Sequence, residues 1–180
     1  MPVMLHRVRR DFEHYQTRGA IGHLGFWSGA AYRVAAYCRG VRPAPLRAAM
    51  STAAELVNGP IRFFRGVEIP AATRIGAGLA LHHPHNVIIS PDVVIGMDCT
   101  LYHDVSITEG GRLPGAPTLG DRVTVFAGAK ILGGVTLGDD VEVGANAVVT
   151  ADVPSDSVVA SPTGRPIPRA TIEKMRRGKQ

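Results

Sequence analysis

Aromatic residues make up only 6% of this 180-residue chain, with a single Trp. No stretch interleaves aromatic with basic side chains, which argues against a nucleic-acid surface. Cysteine is almost absent: Cys38 and Cys99 stand far apart with no metal-ligand spacing, the usage of a reduced, cytoplasmic protein. Long apolar runs are missing too. The most apolar stretch, Ala20–Cys38, is interrupted by His23 and Arg33, so no span of ~18 uncharged residues exists for crossing a membrane. No signal peptide opens the chain. Charge is sparse at 19%, while apolar residues reach 45%, which excludes a disordered chain. The net charge of +5 is concentrated at the ends, in Arg7, Arg9 and Arg10 and in Lys174, Arg176, Arg177 and Lys179. Such a balance suits an anionic small-molecule partner.

What the chain does have is a period of six. Leu119, Val125, Ile131, Leu137, Val143 and Val149 open six consecutive hexapeptides, and the fifth place of each is small or branched: Val123, Ala129, Val135, Val141, Ala147 and Val153. The same step links Ile89, Ile95, Leu101 and Ile107, and before them Ile69, Ile75 and Leu81. A period of six fits neither the 3.6 of a helix nor the 2.0 of a simple strand. It fits short strands joined by tight corners, about three to a coil, each stacked on the strand one coil away. The step breaks twice. Two extra residues fall after Leu81, beside the stretch LHHPHN, and the signature fades from Thr108 to Thr118, where Gly and Pro crowd.

The first 65 residues lack the repeat. Helices are expected over Val3–Gln16, Phe26–Arg39 and Leu46–Asn58, the last ending at Gly59 and Pro60. After Pro154 the repeat stops, and Ala170–Arg177 reads as a short helix capping the open end of the coil. The expected organisation is a helical region over residues 1–65, a repeat domain over 66–168 and a basic tail or cap over 169–180.

Histidines collect at the first break. His82, His83, His85 and His103 lie within 22 residues of one another, four of the seven in the chain, and on neighbouring coils. Imidazole titrates near neutrality and suits proton transfer, so this cluster is the candidate site.

These residues carry a resemblance. The hexapeptide run, with VEIPAATRIGAGLALHH, DVSIT and VFAGAKILGGVTLGDDVEVGANAVVTADVP, resembles the serine acetyltransferase branch of the hexapeptide acyltransferases over roughly residues 60–165. The resemblance implies a left-handed parallel β-helix, whose hand departs from the usual right-handed crossover. It also implies acetyl transfer from acetyl-CoA to a hydroxyl, and a trimer or a dimer of trimers with each site between two prisms. No metal is required by that chemistry. Residue by residue, His83 falls on the family's general base and Glu68 on the carboxylate that orients it, with His103 a further candidate acid–base group. His82, His85 and Asp104 form the candidate acceptor-binding set, and the Gly110–Gly111 backbone is a candidate oxyanion donor. Coenzyme A would lie against Ala127, Gly128, Gly144 and Ala145, with Lys130 and Arg165 as cations for its phosphates.

The same resemblance exposes departures. Where serine enzymes hold the amino acid with a carboxylate before the base, this chain has His82. Gly115 and Ala116 stand where those enzymes have an Arg-His pair; for their helical-domain acid, Asp11 is one match, while Thr17-Arg18-Gly19 aligns better and carries no acid. The acceptor is therefore expected to be serine or a serine-like amino acid, or else a saccharide or natural-product hydroxyl. An alternative on the same prism is a γ-carbonic-anhydrase-like zinc hydratase using His83, His85 and His103.

Overall fold

The structure, a computed structural model, describes residues 2–15 and 24–161. Arg165 and the expected terminal helix Ala170–Arg177 lie outside the described residues. Three helices come first: α1 (Pro2–Tyr15), α2 (Leu24–Arg39) and α3 (Ala44–Arg65). The strands follow as β1 (Val67–Glu68), β2 (Arg74–Ile75), β3 (Ala80–Leu81), β4 (Val87–Ile89), β5 (Val94–Ile95), β6 (Thr100–Leu101), β7 (Ser106–Thr108), β8 (Thr118–Leu119), β9 (Thr124–Val125), β10 (Lys130–Leu132), β11 (Thr136–Leu137), β12 (Glu142–Val143), β13 (Val148–Val149) and β14 (Val158–Val159).

All pairings are parallel and link every third strand, except the last, where β14 pairs with β12. The strands form three narrow sheets, ordered β1-β4-β7-β10-β13, β2-β5-β8-β11 and β3-β6-β9-β12-β14. Each sheet is one wall of a three-sided coil. The repeat residues point inward and stack in files: Ile75, Ile95, Leu119 and Leu137 on one wall, and Leu81, Leu101, Val125 and Val143 on the next. They form a single core running from Val67 to Val149. Full burial of each such side chain stabilises by roughly 1.5–3 kcal/mol, so the files hold each coil to the next.

The corners explain the small polar residues of the repeat. At the corner leading into the β1 wall, Gly66, Asn86, Asp104, Gly128 and Asn146 all adopt positive φ, between 54° and 77°. At the corner leading into the β3 wall, Gly78, Asp98, Arg122, Asp140 and Asp156 do the same. Left-handed backbone is cheapest for Gly, Asn and Asp, and every one of these corner positions but Arg122 carries one of the three. A second glycine file has a steric reason: a Cβ on Gly96 would lie 2.3 Å from the carbonyl oxygen of Gly120.

Both breaks in the period are visible in register. Val67 pairs with Val87, twenty residues on, whereas Ile88 pairs with Ser106 after eighteen. Ser106 pairs with Lys130 after twenty-four, because the 109–117 loop adds six residues to that coil.

One helix boundary differs from expectation. α3 does not end at Gly59-Pro60 but continues to Arg65. Pro60 removes a single helical hydrogen bond on an exposed stretch of the helix, which is tolerable. The actual stop is Gly66, left-handed at φ 63°, whose N–H closes onto the carbonyl of Arg62 at 2.8 Å.

The helices are fastened to the prism by a buried ion pair. Arg33 donates from Nε and Nη2 to the Asp11 carboxylate at 2.9 and 3.1 Å, and also to the carbonyls of Ile75 and Gly76. Asp11 accepts from the backbone N–H groups of Gly78 and Leu79, both at 2.8 Å. The expectation that Asp11 serves the acceptor is therefore corrected. Its carboxylate is fully engaged in docking α1 against the second corner.

Candidate active site

His83 stands in a coil two residues longer than the regular eighteen. His82 and Tyr102 are in register, as are His85 and His103, so His83 and Pro84 are the two extra residues at this corner. They interrupt the column as a bulge: Pro84 is buried, while His83 is exposed with φ 51°. The chain thus places this imidazole outside the packed file of corner residues, where a substrate can reach it.

Two columns flank the bulge. The first runs through His82, Tyr102 and Phe126. The His82 and Tyr102 rings stack at 5.0 Å between centroids and 18° between planes, and Phe126 follows at 5.2 Å. His82 is buried. The second column comprises Arg65, His85, His103, Ala127 and Ala145. The backbone ladder defines it: Asn86 N–H donates to Arg65, Asp104 to His85, Gly128 to His103 and Asn146 to Ala127. His85 and His103 are both exposed, and beyond them the side chains shrink to alanine. A strip with low relief therefore leads along the prism edge away from the base.

The remaining candidates divide into those brought to this edge and those held elsewhere. Lys130 donates from Nζ to the carbonyl oxygen of Asp104 and lies 3.5 Å from its carboxylate. Asp104 also accepts from Asn86 Nδ2 at 2.7 Å. Asp104 is thus a corner residue that ties three coils together. Gly128 has a packing reason for its identity, since a Cβ there would lie 2.1 Å from Asn146 Oδ1. Gly144 is similarly tight beneath the carbonyl of Val159. Gly110 and Gly111 are exposed in the six-residue insertion that leaves the far end of β7.

Glu68 is on β1, outward and exposed beside the inward Val67. Its carboxylate makes no hydrogen bond or ion pair among the described residues, so the contact with His83 expected from the resemblance is not formed within the single chain. Glu68 instead lines a cavity of about 370 Å³ with Ser28, Tyr32, Glu55 and Arg62. Tyr32 donates to the Thr73 carbonyl at 2.6 Å there, and burial pushes its phenol up.

Arg65 was not legible as a site residue from motif alone. Its Nη1 lies 3.2 Å from Nε2 of His85. The available signal was the twenty-residue coil step, counted back from His85.

A prism of hexapeptide coils with a histidine bulged from one edge is the architecture of hexapeptide-repeat acyltransferases, and comparisons with known proteins agree. Residues 116–151 match the family described as bacterial transferase hexapeptide (six repeats). The chain is 44% identical over 108 residues to a serine acetyltransferase of Helicobacter pylori, covering 59% of this chain and 63% of that one. It is 38% identical over 96 residues to the putative colanic acid biosynthesis acetyltransferase WcaB of Escherichia coli, covering 52% of this chain and 59% of that one. Among solved structures, soybean serine acetyltransferase superposes with a TM-score of 0.75 at 27% identity, covering 93% of this chain and 70% of that one. The chain spans less than two thirds of the length of these two curated relatives. The resemblance to the serine acetyltransferase branch is borne out, and so is the left-handed parallel β-helix with its N-terminal helices. The zinc-hydratase alternative is not favoured, since the relatives are acetyltransferases. No described helix is long and apolar enough to cross a membrane.

Proposed function

We propose that this protein is an acetyl-CoA-dependent O-acetyltransferase of the serine acetyltransferase type, acting on the hydroxyl of a small acceptor. The observation that carries the reading is the two-residue bulge that sets His83 out of the corner column, at the head of a strip of small residues. In this reading His83 accepts the hydroxyl proton as the acceptor oxygen forms its bond to the thioester carbonyl carbon. The carbon–sulfur bond then breaks, and the imidazolium returns the proton to the leaving thiolate. Ala127 and Ala145 suit the pantetheine arm because they leave the edge unobstructed. Lys130, Gly128 and Gly144 flank the same strip. His103, one rung above His85, faces the acceptor. In the same reading the assembly is a trimer or a dimer of trimers, and the carboxylate of Glu68 orients the base. Two free cysteines, both buried, accord with a reducing cytoplasmic compartment.

The acceptor is a serine-like hydroxyl compound or a saccharide. An amino acid zwitterion needs an anion for its ammonium, yet His82 replaces the expected acid and Asp11 is committed to Arg33. The test is release of free CoA from acetyl-CoA with L-serine, L-homoserine and simple sugars. His83→Ala should lower turnover ~10²–10⁴-fold while circular dichroism stays unchanged. Full activity in that variant would remove His83 as the base, and no turnover on any hydroxyl acceptor would refute the transferase reading.

A further inference from the structure

Beside the bulge lies a cation with no counter-ion among the described residues. Among the described residues His85 is the sole side-chain partner of the Arg65 guanidinium, at 3.2 Å, and no carboxylate lies within ion-pair distance of it. Both backbones are rigidly placed. Arg65 is the last residue of α3, and its carbonyl accepts from Asn86 N–H at 2.8 Å. His85 follows the bulge, and its carbonyl accepts from Asp104 N–H at 2.7 Å. His103 is the next rung of the same column.

The acids in the neighbourhood do not neutralise Arg65. Asp104 is held by Asn86 and Lys130. Glu68 lies three residues along the chain on the outward face of β1, without an ion pair among the described residues. A guanidinium against an imidazole gains no charge pairing. Arg65 can only donate, so His85 Nε2 accepts and fixes one edge of the guanidinium. The remaining N–H groups of the planar Arg fork are matched to carboxylate or phosphate. His85 is two residues from His83, so their Cα atoms are at most about 7 Å apart.

We infer that Arg65, oriented by its hydrogen bond to His85, forms an anion-binding subsite that takes a carboxylate or phosphate of the acceptor while His83 addresses its hydroxyl. The substrate class is then a hydroxy acid or phosphorylated polyol or sugar. This rests on the transferase reading but adds a residue, Arg65, and a charge preference.

The test uses the full chain and matched acceptors that differ in one charged group: D-glycerate against glycerol for a carboxylate, and glucose 6-phosphate against glucose for a phosphate. Wild type should favour the charged member of at least one pair in kcat/KM by on the order of tenfold or more. Arg65→Gln should abolish most of that preference and leave the neutral acceptor within about twofold, whereas Arg65→Lys, a point charge, retains part of it. Equal preference for both members in wild type, or an equal loss on both in Arg65→Gln, overturns the subsite. Calorimetric titration with malonate and with inorganic phosphate, without acetyl-CoA, separates the two readings. Binding to wild type that weakens about tenfold or more in Arg65→Gln upholds the subsite even if no acceptor is acetylated, an outcome that sinks the transferase reading alone. Failure of both anions to bind wild type overturns the subsite, and turnover of neutral acceptors then leaves the transferase reading standing.

Discussion

Replacing Asp11 by Ala strands a guanidinium in the interior. Asp11 and Arg33 are 2% and 3% exposed, so neither is solvated by water in the folded state. The substitution removes two charge-assisted bonds from Arg33 and leaves the Gly78 and Leu79 N–H groups without their acceptor. Breaking one side of a buried pair costs about 3–5 kcal/mol. Two unsatisfied amides push this toward the upper figure, at about 1–3 kcal/mol each before relaxation. Against a typical total of 5–15 kcal/mol, the loss is a large share. The prism keeps its own ladders, so the damage should appear as early undocking of α1 and α2. Urea denaturation followed by hydrogen exchange reads both the magnitude and the place. The double variant Asp11→Ala/Arg33→Met, which removes the orphaned charge, should recover part of the loss, while the Gly78 and Leu79 amides stay without their acceptor. A change below about 1 kcal/mol in Asp11→Ala, or exchange spread evenly over the prism, would refute the argument that this pair is the fastening.

Two further outcomes follow from the coil geometry. Gly96→Ala should lose about 1–3 kcal/mol or more, because its Cβ meets the backbone of Gly120, while Gly29→Ala in α2 meets nothing within 4 Å and should gain up to about 1 kcal/mol; differential scanning calorimetry distinguishes them by opposite shifts in Tm. Burial pushes the Cys99 thiol up to about 11 from an ordinary 9.0. The unfolded chain therefore loses this proton first. Its contribution is fully present below pH 9.0 and is lost as pH rises toward about 11. The native thiol should resist iodoacetamide at pH 8 and react on unfolding; rapid native alkylation would contradict its burial.

The repeat was readable because a coil's packing is local in sequence. Each inward aliphatic residue meets its counterpart one coil away, so spacing alone names the core, and Leu101 and Val125 needed no structure to be placed inside. The bulge was readable for the same reason, as a miscount of two beside three histidines. α3 was misjudged at Gly59-Pro60 because local breaking signals are weak against a helix whose proper cap, Gly66, lies further on. Glu68 was legible as a position but not as a contact, since what its carboxylate meets depends on how separate elements pack.

The sequence by itself therefore determined the coil, its corners and the place of His83, because a short exact period leaves one way to bury the apolar file. Only the tertiary structure decided that Asp11 fastens a helix and that Arg65 reaches His85. Those partners are 22 and 20 residues apart in different elements, and no local periodicity sets which long side chain meets which when helices dock on a prism.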